Sequence, residues 1–166
     1  MAAPNFELIT ELQTCTRRDF PLSTAALLNP LNANPVLDGE WLELDANLYT
    51  LKRGSTTGTP AVFPVHTERG RYDTQAIGKV NVIFLGMYEA ETAIHNGASD
   101  SLSGYVAGDS LCVNDVTVGS LTRRGLVKDS TTDGRVVVGY VTKLIGSGTT
   151  GRVRFIHFGT QHFYAI

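Results

Sequence analysis

The sequence predicts an all-β protein, a small barrel or sandwich of short antiparallel strands with an extended N-terminal arm. Three observations predict it. Residues 105–163 hold four short strand patterns, each closed by a turn with glycine or aspartate, and no helical period. Gly, Ser, Thr and Asn are abundant and only 18% of residues are charged, as suits many strands joined by turns. Residues 1–37 carry Pro21, Pro30 and Pro35, which break regular structure and set the segment apart from the rest.

The 166 residues suit one β domain over 38–166 with a real core, preceded by the 1–37 arm and interrupted by a loop-rich insertion at 53–78. A formal net charge of −2 gives no basic footprint for nucleic acid. No apolar run approaches the roughly 20 residues of a membrane helix. The first five residues lack the cationic and apolar regions of a secretory signal, so a soluble protein is expected. Cys15 and Cys112 lie far apart in unlike contexts. A reducing cytosol argues against a bridge, although spacing alone does not exclude one.

In chain order, residues 5–13 (NFELITELQ) place Phe6, Ile9 and Leu12 three apart, a short helix-compatible pattern. The stretch that follows reads as an extended arm with apolar beads at Phe20, Leu22, Leu27, Leu28, Leu31, Val36 and Leu37. Two readings stand for it: packing on its own barrel, or lying on a partner that covers these side chains. Asp38-Gly39 makes a turn, and residues 40–44 and 48–52 form a hairpin whose core face is Leu42 and Leu44, or includes Trp41 at an edge. Residues 61–66 (AVFPVH) are an edge strand because of Pro64, in a section expected to be exposed. Residues 79–85 (KVNVIFL) suit a central strand. Residues 87–94 alternate and continue it as a strand, with a helix as the alternative.

Beyond residue 104, Gly108-Asp109 is a turn, 111–113 and 116–118 are strands about a tight turn at Asn114-Asp115, and 129–134 is a hairpin loop. Residues 135–145 form a long buried strand, with Gly139 marking a bulge or a close approach. In the last strand Val153, Phe155 and His157 share one face, and Arg152, Arg154, Ile156 and Phe158 the other.

No phosphate loop, dinucleotide fingerprint, nucleophile elbow or zinc spacing is present, so neither an enzyme nor a cofactor is expected. Gly108-Asp109-Ser110 lacks the closing glycine of a nucleophile elbow and has no histidine placed to serve Ser110. His157 and His162 are five apart, which suits no shared face, and His66 and His95 stand alone. Glu89 and Glu91 read as a solvated strand face rather than paired catalytic acids. The positive features are Arg123-Arg124 and the Arg152/Arg154 pair, whose guanidinium forks suit carboxylates of a neighbouring chain better than nucleic acid. An alternative function is a carbohydrate- or small-ligand-binding β module, with Trp41, Tyr49 and Tyr72 to stack on sugar rings.

YVAGDSLCV at 105–113, VVVGYVT at 136–142, RVRFIH at 152–157 and NPVLDGEWLEL at 34–44 together resemble the capsid decoration (cement) proteins of tailed bacteriophages. The likeness covers about half of the chain, residues 34–52 and 105–158, and leaves 53–104 unmatched. It implies a β-barrel or β-tulip-like domain that binds the outer surface of the head and bridges major capsid protein subunits against internal DNA pressure. It further implies copies of the chain assembled as a homotrimer at three-fold or quasi-three-fold positions, and an N-terminal arm reaching along the shell. The location implied is the capsid exterior of a virion made in bacterial cytoplasm, with no direct contact to nucleic acid or membrane. Under that reading the contact residues are Phe20, Leu22, Leu27, Leu28, Leu31, Val36, Leu37, Arg123, Arg124, Arg152 and Arg154.

Overall fold

The structure, a computed structural model, describes residues 6–12, 14–23, 36–45, 50–53, 63–65, 79–95, 102–118, 120–128, 137–147 and 151–158. Its strands are β1 (Phe6–Glu11), β2 (Thr16–Pro21), β3 (Trp41–Leu44), β4 (Leu51–Lys52), β5 (Phe63–Pro64) and β6 (Lys79–Leu85), then β7 (Tyr88–Thr92), β8 (Ser110–Val118), β9 (Leu121–Lys128), β10 (Val137–Ile145) and β11 (Arg152–His157). Apart from one 3-10 turn at Leu102–Gly104, no helix occurs among the described residues. The fold is all-β and its ladders are antiparallel, as the sequence predicts.

Six strands form the main sheet in the order β1-β7-β11-β10-β8-β9. A second unit joins the β2-β6 ribbon to the three-stranded β4-β3-β5 sheet through single bridges at Val65–Val82 and Leu22–Leu51. The main sheet curls until His95, just past β7, meets Leu126 of β9 in one parallel bridge. Among the described residues neither sheet closes into a barrel by a continuous ladder, which suits a sandwich.

Alternation explains the burial. On β11, Val153, Phe155 and His157 point inward and are buried, and their cross-strand neighbours Ala90 and Tyr88 on β7 and Val141 on β10 join them. Phe6, Trp41, Tyr105, Leu111, Leu126 and Val138 complete this aromatic-rich core. A second, mostly aliphatic core gathers Phe20, Leu22, Val36, Leu42, Leu51, Val65, Val80 and Val82. A third, smaller cluster holds Ile94, Cys112, Val116 and Val127, with Leu37 packed against it.

The segment 36–42 touches all three. Val36 and Leu42 enter the second core, Leu37 the third and Trp41 the first. The Asp38-Gly39 turn that permits this has Gly39 at φ 84°, a left-handed conformation that glycine adopts without a Cβ clash. Both faces of β3 are therefore buried, and the choice posed by its alternation between a Leu42 face and a Trp41 face is answered by both.

Several expectations are corrected. Residues 6–11 are a strand, not a helical turn. Phe6 and Leu8 enter the core two apart, and a register shift after Leu8 bulges the strand at Ile9, which breaks the simple alternation. Residues 16–21, read as irregular arm, pair along the length of β6. Of the arm, residues 1–5, 13 and 24–35 lie outside the described residues. Pro64 and Val65 are buried, because β5 lies against β3 while Val65 bonds to Glu40 and bridges to β6. β8 runs unbroken through Asn114 and Asp115, since Gly125 and Arg124 of β9 stand opposite them and accommodate both polar residues in the ladder.

Gly139 meets both of its expectations. The ladder to β8 shifts register between Val137 and Gly139, and a Cβ at Gly139 would sit 2.2 Å from the Ile156 carbonyl oxygen.

Candidate functional site

The charged residues singled out from sequence are built into the scaffold. Arg123 projects from β9 on the Val127 side and places Nη1 3.1 Å from Oε2 of Glu40. Arg53, just after β4, grips the same carboxylate through Nε and, at 3.1 Å, through Nη2. The Leu37 amide donates to Glu40 Oε2 at 3.1 Å. Glu40 is 0% exposed, so its carboxylate is a buried junction between the 36–42 segment, the end of β4 and the main sheet, with Arg53 reaching it from the partly exposed side. Arg124 pairs in register with Asp115 at 3.0 Å on the β8–β9 ladder.

Arg152 and Arg154 project from the outer face of β11 toward β7. Arg154 stands opposite Glu91 and donates from Nε to Oε1 at 2.9 Å. Arg152 donates from Nη2 to the Glu91 carbonyl at 3.4 Å, with Glu91 Oε2 3.6 Å from its Nε and Glu7 Oε2 3.9 Å from its Nη1. Thr142 donates to Glu89 at 2.8 Å. The carboxylates facing these arginines thus come from the chain's own β1 and β7.

Of the apolar contact residues, Phe20, Leu22 and Val36 are buried in the second core and Leu37 packs on the third, while Leu27, Leu28 and Leu31 lie outside the described residues. Trp41 is 0% exposed and so is closed to sugar stacking, and Tyr49 and Tyr72 lie outside the described residues. The large apolar side chains that the described surface does expose are Leu12, Val106 and Tyr140, the last in edge contact with Phe158 at 5.0 Å.

Ser110 is the first residue of β8, opposite Tyr140. Its neighbour Asp109 accepts from the Val106 amide at 2.8 Å and pairs with Lys128, whose hydrogen bond holds the carboxyl below the usual carboxylate range. The two described histidines bond to backbone carbonyls, His95 Nε2 with Gly151 at 2.9 Å and His157 Nδ1 with Val138 at 2.8 Å. Burial lowers both, His157 to about 4, so both imidazoles are neutral at neutral pH. His66 and His162 lie outside the described residues. Among the described residues no group of three or more His, Cys, Asp or Glu could hold a metal ion. Cys15 and Cys112 are not joined by a disulfide and are buried in different clusters.

Sequence reasoning missed Glu40, which sits in an ordinary strand pattern, and the aromatic nest of Trp41, Tyr88 and His157. In the nest, the His157 ring lies 5.5 Å from Trp41 and 4.9 Å from Tyr88. Comparison with family models, with curated proteins and with solved structures finds no match.

Proposed function

We propose that the chain is a structural virion protein, a head decoration protein that binds the outer capsid surface and bridges major capsid protein subunits. The observation that carries this reading is the use of ionisable side chains as struts. Glu40, Arg53, Arg123, Arg124, Arg152 and Arg154 hold strand to strand and sheet to sheet. A clamp on a shell under pressure calls for such a braced body, and the resemblance of 34–52 and 105–158 to decoration proteins points the same way.

The struts also relocate the grip. The arginines and the apolar residues of 20–22 and 36–37 serve the chain's own fold, so the grip is sought at exposed Val106 and Tyr140 and at Leu27, Leu28 and Leu31, which lie outside the described residues. A chain begun at Asp38 would lose β1 and β2, so the grip is tested by substitution in the full chain.

The expected outcome is saturable, stoichiometric co-sedimentation with heads assembled from the major capsid protein of the same genome. Leu27→Ser/Leu28→Ser/Leu31→Ser should weaken binding, with the urea midpoint measured alongside to separate lost grip from lost stability, and light scattering of the free protein should report a trimer. No binding to heads by a folded protein would end the proposal.

A further inference from the structure

The interior between β3, β7 and β11 carries polar atoms that the protein itself does not satisfy. Trp41 and Tyr88 are fully buried, and neither the indole Nε1–H nor the phenol Oη has a hydrogen-bond partner. Both rings flank His157, and both lean on Phe155 at 6.4 and 6.3 Å. Phe6 closes the nest against Tyr88 at 6.4 Å and Phe155 at 6.5 Å.

A buried donor without a partner is costly, and native interiors recruit ordered water to such atoms. His157 adds the complementary group. Its Nδ1 lies 2.8 Å from the Val138 carbonyl oxygen, so in the neutral ring Nδ1 carries the hydrogen and Nε2 is an acceptor.

We propose that Trp41, Tyr88 and His157 line an interior binding site for one water molecule, which accepts from Trp41 Nε1–H and bonds to Tyr88 Oη. A buried water needs two to four polar partners, and Trp41 Nε1–H and Tyr88 Oη supply two. Glu43 lies two residues along the same face of β3 as Trp41. It is buried, its Oε2 has no partner, and its Oε1 is 3.5 Å from the half-exposed Lys52 amine. That places a polar stepping point between the site and solvent. The bound water would hold β3 in register with the main sheet, from inside the aromatic core.

Tyr88→Phe in the full chain, followed by urea unfolding at neutral pH, reads the site directly. With water bound, the variant removes one of its partners, and the folding equilibrium constant falls about tenfold. With no water there, the variant deletes an unmet hydroxyl and the constant rises. A crystal structure that resolves ordered solvent is the second readout, with density expected within about 3.2 Å of both Trp41 Nε1 and Tyr88 Oη. Either a stabilised Tyr88→Phe protein or the lack of that density overturns the proposal.

Discussion

The Glu40 junction and the Glu91 face use the same ingredients, one carboxylate between two arginines, at different depths. Glu40 is 0% exposed, and its partners Arg53 and Arg123 come from 13 and 83 residues away. Glu91 and Arg154 face each other across one ladder on the outer face of the main sheet, where the arginine is 28% exposed and covers a carboxylate that is itself buried, not solvated as its strand pattern suggests. Strand pairing alone brings the outer pair together. Nothing local brings the inner triad together, and a misdocked 36–42 segment would leave a charge without a partner in a dry interior. The inner triad therefore selects one way of stacking the two units, whereas the outer pair tightens a ladder that is already formed.

Glu40→Ala gives the largest expected effect. It removes the buried carboxylate that Arg53 and almost fully buried Arg123 share, and should cost about 3–5 kcal/mol in urea unfolding. Replacing Glu40, Arg53 and Arg123 together by Met or Leu should recover most of that loss, because apolar side chains do not need partners. If Glu40→Ala unfolds at the wild-type midpoint, the junction holds nothing together.

Acid probes the same interior by a different group. Burial lowers His157 from its ordinary value near 6.5 to about 4, so as pH falls the unfolded chain takes up the proton first. Stability is full above about 6.5, declines as pH drops through that value, and levels off for this group below about 4. The loss is about 3 kcal/mol across the window. His95, also lowered by burial, adds to it in the same direction. Urea midpoints at steps from neutral to about pH 5, above most of the carboxylate range, should fall in the wild type and fall less steeply in His157→Gln.

These effects differ in how far the sequence foretells them. Alternation in residues 152–158 sorts Val153, Phe155 and His157 from Arg152 and Arg154, and the structure keeps that sorting. The same residues do not say which strand stands opposite. Arg154 finds Glu91 from a distant strand, and only the ladder order supplies it. Glu40 and Trp41 were illegible as a junction because a strand buried on both faces has no polar side to mark it. The helical spacing of Phe6, Ile9 and Leu12 misled because a bulge at Ile9 shifts the strand's period. The irregular look of residues 16–22 came from Pro21 and a run of charge, both of which an exposed edge strand tolerates and even favours.

On the outer face, Glu91→Ala should cost about 2 kcal/mol, because it removes charge-assisted hydrogen bonds from Arg154 and the main carboxylate beside mostly buried Arg152. A loss as large as that of Glu40→Ala would erase the distinction between the two sites. The smallest effect belongs to a pair outside both. Arg17 Nη2 lies 2.6 Å from Glu11 Oε1, with both side chains about a third exposed. The geometry is good, yet water competes for both groups and salt screens them, so Arg17→Ala should cost no more than about 0.5 kcal/mol, and less at high salt. Burial, rather than the number or length of ion contacts, would then set the order of the three sites, and a salt-insensitive loss at Arg17 matching that at Glu91 would break it.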